Sequence, residues 1–446
     1  MASIRNATVH RSLAVLAIAA LTACSEGSWF GREAEPPLPG QRISILAHEQ
    51  ALSPDPQTAQ NAILLPPPMV NPSWPQAGGY ANHAMHHIAV GADLRRAWST
   101  NVGSGANDGQ RLLAAPIVAE GRVFTMDVDN AVTAVDAASG RKLWSIDLTP
   151  KDDDDGLFGG GLASEDGRVY VTTGFAQTFA LNPVTGEVIW RRTLDAPIHA
   201  APTARGGRLF VVTVENKLYA LDASNGDQLW VHSGISETAS ILGAASAAED
   251  QGVVVVPYSS GELVALRVEN GLVLWSESLA AVRRTDIVST LADIRGRPII
   301  DRGRVFAISH GDMIVAIDLR SGQRIWEREI GGLENPWVAG PVLYALTNDQ
   351  ELVALNRDNG RIHWVSALPR WKNPEKKAEP ILWTGPVLAS DRLLVASSEG
   401  DVMAVSPYTG IIMGKIGLTD GVPLAPIVAN GTVYFLTDDA DLVAFR

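Results

Sequence analysis

The sequence predicts an all-β protein, an eight-bladed β-propeller whose blades are four-stranded antiparallel sheets. A short strand that ends in alanine recurs eight times, and seven of these strands lead into a turn that closes on glycine. Successive alanines are 46, 40, 45, 51, 38, 50 and 40 residues apart. A period of about 40–45 residues is typical of one propeller blade per repeat. The recurring alanines are Ala134, Ala180, Ala220, Ala265, Ala316, Ala354, Ala404 and Ala444.

The first repeat shows how local chemistry specifies four strands. Residues 115–118, 122–126, 131–136 and 142–145 are the predicted strands, separated by short turns. Gly140 closes the last hairpin, because glycine adopts a positive φ without steric penalty. The residue before this glycine is Ser, Thr or Asn in all seven turns, and each of these can hydrogen-bond the local backbone. The pattern therefore predicts the same hairpin in every blade.

A tryptophan stands four residues after the turn glycine in six of the seven turns, and we expect it to pack as a wedge between adjacent blades. At the seventh turn Gly414 occupies that position, and we expect Met413 to fill part of the gap. The eighth repeat lacks a fourth strand, whereas residues 94–102 lie one period before the first repeat and carry a tryptophan. We therefore expect this N-terminal strand to complete the last blade and close the ring, which removes open sheet edges. The blade tryptophans are Trp98, Trp144, Trp190, Trp230, Trp275, Trp326 and Trp364.

Residues 1–23 have the pattern of a secretory signal peptide, with Arg5 and Arg11 before an apolar stretch too short to span a bilayer. The stretch ends in small residues before Cys24, which resembles a bacterial lipobox in which the cysteine becomes the lipid-modified N-terminus. Cys24 is the only cysteine, so no internal disulfide can form. The alternative is an ordinary signal peptide followed by an incidental cysteine.

Residues 24–90 contain ten prolines and little apolar periodicity. Proline-rich segments are extended and semi-rigid, which suits a spacer between a lipid anchor and a folded body. We therefore expect a lipid-anchored tether over 24–90 and the propeller over 91–446.

Composition and motifs argue against nucleic acid and catalysis. The formal charge of −13 becomes −15 once the signal peptide is removed, and no basic stripe is present to neutralise phosphate. No nucleotide-binding, zinc-protease or serine-hydrolase motif occurs. His83, His86 and His87, or the acidic run 152–155, are alternatives for a metal site, but without a matching ligand set we expect no metal and no cofactor.

The repeat unit Ala-x-Asp/Asn…Ser/Thr/Asn-Gly-x-x-x-Trp resembles that of pyrroloquinoline-quinone-type propellers, a family of dehydrogenases and non-enzymatic scaffolds. Many of those dehydrogenases carry adjacent cysteines, which a chain with Cys24 alone lacks. With its lipobox, tether and eight repeats, the chain resembles the outer-membrane protein assembly factors, the propeller lipoproteins of the β-barrel assembly machinery. The segment 317–323 with Trp326 is especially similar. The resemblance implies a non-catalytic scaffold, and Ser25 in place of aspartate implies the outer membrane, facing the periplasm.

The resemblance also implies the partners and the contact residues. Members of that family bind the barrel-inserting outer-membrane subunit, and unfolded outer-membrane proteins are possible clients. A Leu-Arg-Gly stretch aligns here with Ile241, Leu242 and Gly243, so a leucine replaces the arginine. An Asp-x-Asp stretch aligns with Asp293 and Arg295, so only the first acid is kept. Arg283, Arg284 and Arg295 are the alternatives for restoring the positive contact from the adjacent loop. Leu242 is either a contact residue or a buried strand residue.

Two alternative functions remain on sequence grounds. One is a propeller lipoprotein that binds another envelope partner, such as peptidoglycan or a different machine, since a fold does not fix its function. The other is a quinone-dependent dehydrogenase, which bound quinone would reveal.

Overall fold

The repeated turn chemistry produces a ring of sheets in the computed structural model, which describes residues 52–151, 157–237, 241–280 and 293–446. The first elements are the 3-10 turn Thr58–Gln60 and the strands β1 (Arg96–Asn101), β2 (Ile117–Ala119), β3 (Arg122–Met126), β4 (Ala131–Asp136), β5 (Lys142–Asp147), β6 (Gly160–Glu165), β7 (Arg168–Thr173), β8 (Gln177–Leu181), β9 (Val188–Thr193), β10 (Thr203–Arg205), β11 (Arg208–Val212), β12 (Lys217–Asp222), β13 (Gln228–Ser233), β14 (Ala248–Asp250), β15 (Val253–Pro257), β16 (Glu262–Arg267) and β17 (Val273–Ser278). The remaining strands are β18 (Ile299–Asp301), β19 (Arg304–Ser309), β20 (Met313–Asp318), β21 (Arg324–Arg328), β22 (Trp337–Ala339), β23 (Val342–Leu346), β24 (Glu351–Asn356), β25 (Ile362–Ala367), β26 (Trp371–Asn373), β27 (Ala378–Pro380), β28 (Trp383–Leu388), β29 (Leu393–Ser397), β30 (Asp401–Val405), β31 (Ile412–Gly417), β32 (Ile427–Ala429), β33 (Thr432–Leu436) and β34 (Asp441–Phe445).

In the described residues these strands form eight four-stranded antiparallel sheets, which confirms the predicted propeller. Blades 1 to 6 take four consecutive strands each, from β2–β5 to β22–β25, and blade 7 is β28–β31. Blade 8 combines β32–β34 with β1, while β26 and β27 form a separate hairpin. The innermost strands of neighbouring blades lie side by side around a central channel. Because each blade has four antiparallel strands, all inter-blade connections emerge on one side of the ring, here called the connection face.

The last blade takes its outermost strand from the other end of the chain. Strand β1 pairs antiparallel with β34, and Trp98 lies opposite Ala444. The repeat pattern predicts this pairing, since residues 94–102 carry the tryptophan that the eighth repeat lacks. Blade 8 thus gains a fourth strand.

Alanine, tryptophan and glycine of the repeat form one packing unit. Within blade 3, Ala220 on the third strand lies opposite Trp230 on the fourth, so a small side chain faces a large one. Between blades 2 and 3, the ring of Trp190 covers Gly226, where a Cβ would lie 2.8 Å from the indole Cε3. Gly226 also has a φ of +78°, and the Trp190 indole donates to the Ala223 carbonyl at 3.1 Å. Glycine is therefore required for the backbone conformation and for the close approach of the ring. The same approach to the next turn glycine is made by Trp98, Trp144, Trp230, Trp275, Trp326 and Trp364.

Met413 does not fill a gap, and that expectation is wrong. Its side chain is 58 % exposed, and a Cβ on Gly414 would meet no atom within 4 Å. Blade 8 receives its fourth strand from β1 and so has no closing turn between its third and fourth strands. A tryptophan on β31 would have no turn glycine to pack against, which explains why the series stops there.

The described part of the expected tether, from Leu52 onward, packs on the propeller instead of forming a free spacer. Asp55 donates its backbone N–H to the Ile362 carbonyl at 2.9 Å, on the outer strand of blade 6, and Leu52 packs against the apolar cluster beneath it. Pro66 approaches Gly340 and accepts a hydrogen bond from His87. Residues 1–51, with the signal peptide, Cys24 and the start of the tether, lie outside the described residues.

Residues 69–90, here called the cap, run around the inside of the channel. Hydrogen bonds join the cap to the innermost strands of the blades or to the residues that flank these strands. On its channel side an innermost strand has no neighbouring strand, so the cap supplies partners for backbone groups there. In order from blade 8 through blades 1 to 7, the contacts are Asn71 with Asn430, Trp74 with Val118, Pro75 with Ser164, Gln76 with Ala204, Ala81 with Glu249, Asn82 with Ile300, His86 with Trp337 and Ile88 with Leu388. The proline-rich sequence gave no sign of this second closure, since most of these bonds use backbone atoms.

Candidate partner-docking surface

Two inter-blade connections meet beside the channel mouth. The first, residues 234–247, joins blades 3 and 4, and the second, residues 279–298, joins blades 4 and 5. The structure describes residues 234–237 and 241–247 of the first and residues 279–280 and 293–298 of the second. The Ile241 N–H donates to Asp293 Oδ2 at 2.8 Å. A Cβ on Gly243, whose φ is +97°, would lie 3.1 Å from Arg295 Nε. The residues that sequence similarity assigns to two separate contact stretches therefore form one surface, here called the docking surface.

Asp293 is a buried residue that holds the first connection in place. Its side chain is only 4 % exposed, and burial raises the pKa of the carboxyl to about 6, although the Ile241 N–H and Arg295 favour the charged form. Its backbone carbonyl accepts the His310 N–H at 2.9 Å, which ties the second connection to blade 5. Asp293 is thus placed to position the first connection, and little of it is available for a partner to touch.

Exposed apolar side chains project from the first connection. Leu242 is 43 % exposed and Ile235 is 58 % exposed, so Leu242 is not a buried strand residue. The backbone of Ile235 is fixed from both sides, by its N–H to Glu262 at 2.9 Å and by Asn216 to its carbonyl at 2.6 Å. Sequence analysis missed Ile235, because a single apolar residue in a polar loop carries no motif.

The three histidines considered as a metal site hold the cap in place through separate partners. His83 Nδ1 lies 2.7 Å from the Pro298 carbonyl, and His87 Nδ1 lies 2.7 Å from the Pro66 carbonyl. His86 Nε2 is 3.5 Å from the buried carboxylate of Asp301. Within the described ranges, no three His, Cys, Asp or Glu side chains are grouped to hold a metal ion. The acidic run 152–155 lies outside those ranges, and none of the helices within them is long and apolar enough to cross a membrane.

Solved structures with this fold include a BamB protein and alcohol dehydrogenases. The chain matches the crystal structure of BamB from Moraxella catarrhalis with a TM-score of 0.67 and 17 % identity, over 79 % of this chain and all of that one. It also matches the quinohemoprotein alcohol dehydrogenase from Comamonas testosteroni with a TM-score of 0.63 and 15 % identity, over 84 % of this chain and 80 % of that one. At these identities the likeness establishes the fold alone.

Sequence comparison distinguishes between the two groups. The family model described as outer membrane protein assembly factor BamB matches residues 91–155 and 129–366. Outer membrane protein assembly factor BamB from Yersinia pestis is 28 % identical over 357 residues, which is 77 % of this chain and 88 % of the relative. The Escherichia coli K12 protein of the same name is 28 % identical over 350 residues, 77 % of this chain and 86 % of that protein. The chain therefore belongs to the family of the outer membrane protein assembly factor BamB.

Proposed function

We propose that this chain is a non-catalytic, lipid-anchored scaffold that assists the assembly and insertion of β-barrel proteins into the outer membrane. Its partner is the barrel-inserting subunit of the assembly machinery, which it captures through the docking surface. Cys24 is the lipid anchor, and the propeller faces the periplasm. The observation that carries the proposal is the contact between Ile241 and Asp293, which joins both implied contact stretches into one surface.

The chemistry of the docking surface suits a protein partner. Leu242 and Ile235 are exposed apolar side chains, and hydrogen bonds hold the backbone of Ile235 on both sides. Complete burial of one such side chain contributes about 1.5–3 kcal/mol, and a residue whose backbone is already held loses little conformational freedom on binding. Arg295 approaches Gly243 and adds a positive charge there. A small apolar centre with a charged rim is the usual composition of a docking interface.

Replacement of the apolar anchors tests the surface directly. We expect Leu242→Asp and Ile235→Asp each to reduce recovery of the barrel-inserting subunit at least about tenfold in a mild-detergent pull-down, because a charge is then buried without a partner. Leu229→Asp is the matched control, since Leu229 is 45 % exposed, against 43 % for Leu242, but lies on the outer strand of blade 3. Recovery with Leu242→Asp equal to that of the control would refute the proposed interface.

The positioning role of Asp293 has its own test. Asp293→Ala leaves the Ile241 N–H without its acceptor, so we expect weaker capture through displacement of the first connection. Asp293→Asn keeps an acceptor oxygen and restores capture, because the interaction does not require the charge. If Asp293→Asn captured the partner as poorly as Asp293→Ala, the carboxylate itself would be a direct contact.

The absence of catalysis is tested separately. We expect the purified chain to show neither quinone absorbance nor dye-linked alcohol oxidation after incubation with pyrroloquinoline quinone and calcium. Turnover under these conditions would support the dehydrogenase alternative that the shared fold leaves open.

A further inference from the structure

A small cavity lies at the centre of the ring, between the cap and the connection face. Its volume is about 90 Å³, and its lining includes Trp74 and His83 from the cap with Arg295, Arg297 and Glu334 from two inter-blade connections. Pockets that accept drug-sized molecules measure about 300–1,000 Å³. The cavity therefore suits a compact chemical group and is too small for a large cofactor.

Three buried polar atoms of the lining have no hydrogen-bond partner in the described structure. They are Trp74 Nε1, Arg297 Nε and His83 Nε2. The first two are N–H donors. His83 contacts the Pro298 carbonyl through Nδ1 at 2.7 Å, which places the proton on Nδ1 and leaves Nε2 as an acceptor. Unpaired buried polar atoms are costly, and all three of these belong to side chains that line one cavity, where a single ligand would satisfy them.

The charges of the lining leave one cation in excess. Among the lining residues, Arg295 and Arg297 face one carboxyl group, Glu334, whose pKa is raised by burial. Arg295 also acts on the carboxyl of Asp293, which is not part of the lining. His83 and His199 are neutral at pH 7, because burial lowers the pKa of both imidazoles. Arg297 lines the cavity, and burial lowers the pKa of its guanidinium to about 10. An anion in the cavity would compensate this charge.

We propose that this cavity binds a compact carboxylate. Arg297 Nε and the Trp74 indole donate to the carboxylate oxygens, as charge-assisted bonds of this kind are the strong ones. His83 Nε2 accepts from an O–H or N–H on the carbon next to the carboxylate. Two sources share this chemistry: a free 2-hydroxy acid, and the C-terminal carboxylate of a polypeptide with its adjacent amide N–H. The cavity borders the docking surface, because Gly243 and Arg295 line it. The three groups that bind the carboxylate, Arg297, Trp74 and His83, are not part of that surface.

Titration calorimetry on the mature chain, at ionic strength held constant with chloride, tests the proposal with three probes. Lactate represents the free acid, N-acetylalanine the peptide terminus, and N-acetylalaninamide lacks the carboxylate. We expect saturable binding of at least one acid in the millimolar range or tighter, and none of the amide. Binding of N-acetylalanine about tenfold tighter than lactate assigns the site to polypeptide termini, and the reverse assigns it to free acids. Absence of saturable binding by both acids, or equal binding of the amide, overturns the proposal.

Variants locate the binding in the cavity. We expect Arg297→Gln to weaken acid binding about tenfold or more, since a charge-assisted bond is lost, and Arg297→Lys to retain part of it. Arg320→Gln is the control, because Arg320 is exposed on a closing turn of blade 5. The Trp74 indole N–H resonance of the unsubstituted chain gives a readout that needs no variant to fold. It should shift on saturation with the acid, and an unmoved resonance would contradict the assignment.

Discussion

Gly226→Ala tests whether the turn glycine is required twice, for its backbone conformation and for the indole that covers it. The residue has a φ of +78°, and an added Cβ would lie 2.8 Å from Cε3 of Trp190. Gly207 in the same blade has a φ of +72° but no atom within 4 Å of such a Cβ. Gly207→Ala is therefore a matched control that carries only the conformational cost.

The two costs can be separated in magnitude. An alanine in the left-handed region costs about 1–2 kcal/mol, so Gly207→Ala should lower the free energy of unfolding by that amount. Gly226→Ala adds overpacking against the ring, about 1–3 kcal/mol more, for a total of about 2–5 kcal/mol. Trp190→Ala alone costs about 3–5 kcal/mol as a large-to-small core change. The Ala223 carbonyl that loses the indole still accepts hydrogen bonds from Arg168 and Tyr170. We therefore expect the cost of Trp190→Ala to lie at the lower end of this range.

A double-mutant cycle isolates the contact. In the Trp190→Ala background the methyl of Gly226→Ala meets open space, so the cost of this substitution should fall to that of Gly207→Ala. The coupling energy is then about 1–3 kcal/mol, measured by urea unfolding of the four proteins with Gly207→Ala alongside. Equal costs for Gly226→Ala and Gly207→Ala, with no coupling to Trp190, would refute the packing argument.

Three further predictions concern closure, acid stability and anchoring. Trp98→Ala should lower the melting temperature by removing about 3 kcal/mol of packing at the seam of blades 8 and 1; a wild-type melting temperature would contradict the closure. His83, with a pKa of about 3 in the folded chain against 6.5 unfolded, takes up a proton on unfolding. Stability should therefore fall below pH 6.5 by up to about 1.4 kcal/mol per pH unit relative to His83→Asn, and parallel urea-midpoint profiles for the two proteins would exclude this. Cys24→Ala should leave a folded protein that fractionates with the soluble periplasm, and persistence in the membrane fraction would disprove the lipid anchor.

The cap gives the propeller a second closure, independent of strand β1. Each of its hydrogen bonds contributes about 0.5–1.5 kcal/mol net, and together they connect all eight blades. Trp74 stacks on Trp337 with ring centroids 6.3 Å apart, so the cap also packs apolar surface against blade 6. The same segment supplies Trp74 and His83 to the lining of the central cavity. The cap therefore both connects the blades and forms one wall of the cavity.

The sequence alone determined the number of blades, their four strands and the closure by residues 94–102. These features follow from local chemistry that repeats: a glycine with positive φ, a turn former before it, and a tryptophan at a fixed spacing. Tertiary structure decided where residues 52–90 lie, because backbone hydrogen bonds to distant strands have no side-chain signature and proline-rich composition favours an extended spacer. It also decided that Met413 is exposed. Blade 8 lacks the closing turn that would pack against β31, and this effect appears only when blades 7 and 8 lie side by side. Likewise, the bond between Ile241 and Asp293 joins residues 52 positions apart, and only the ring, by placing neighbouring connections side by side, makes them one surface.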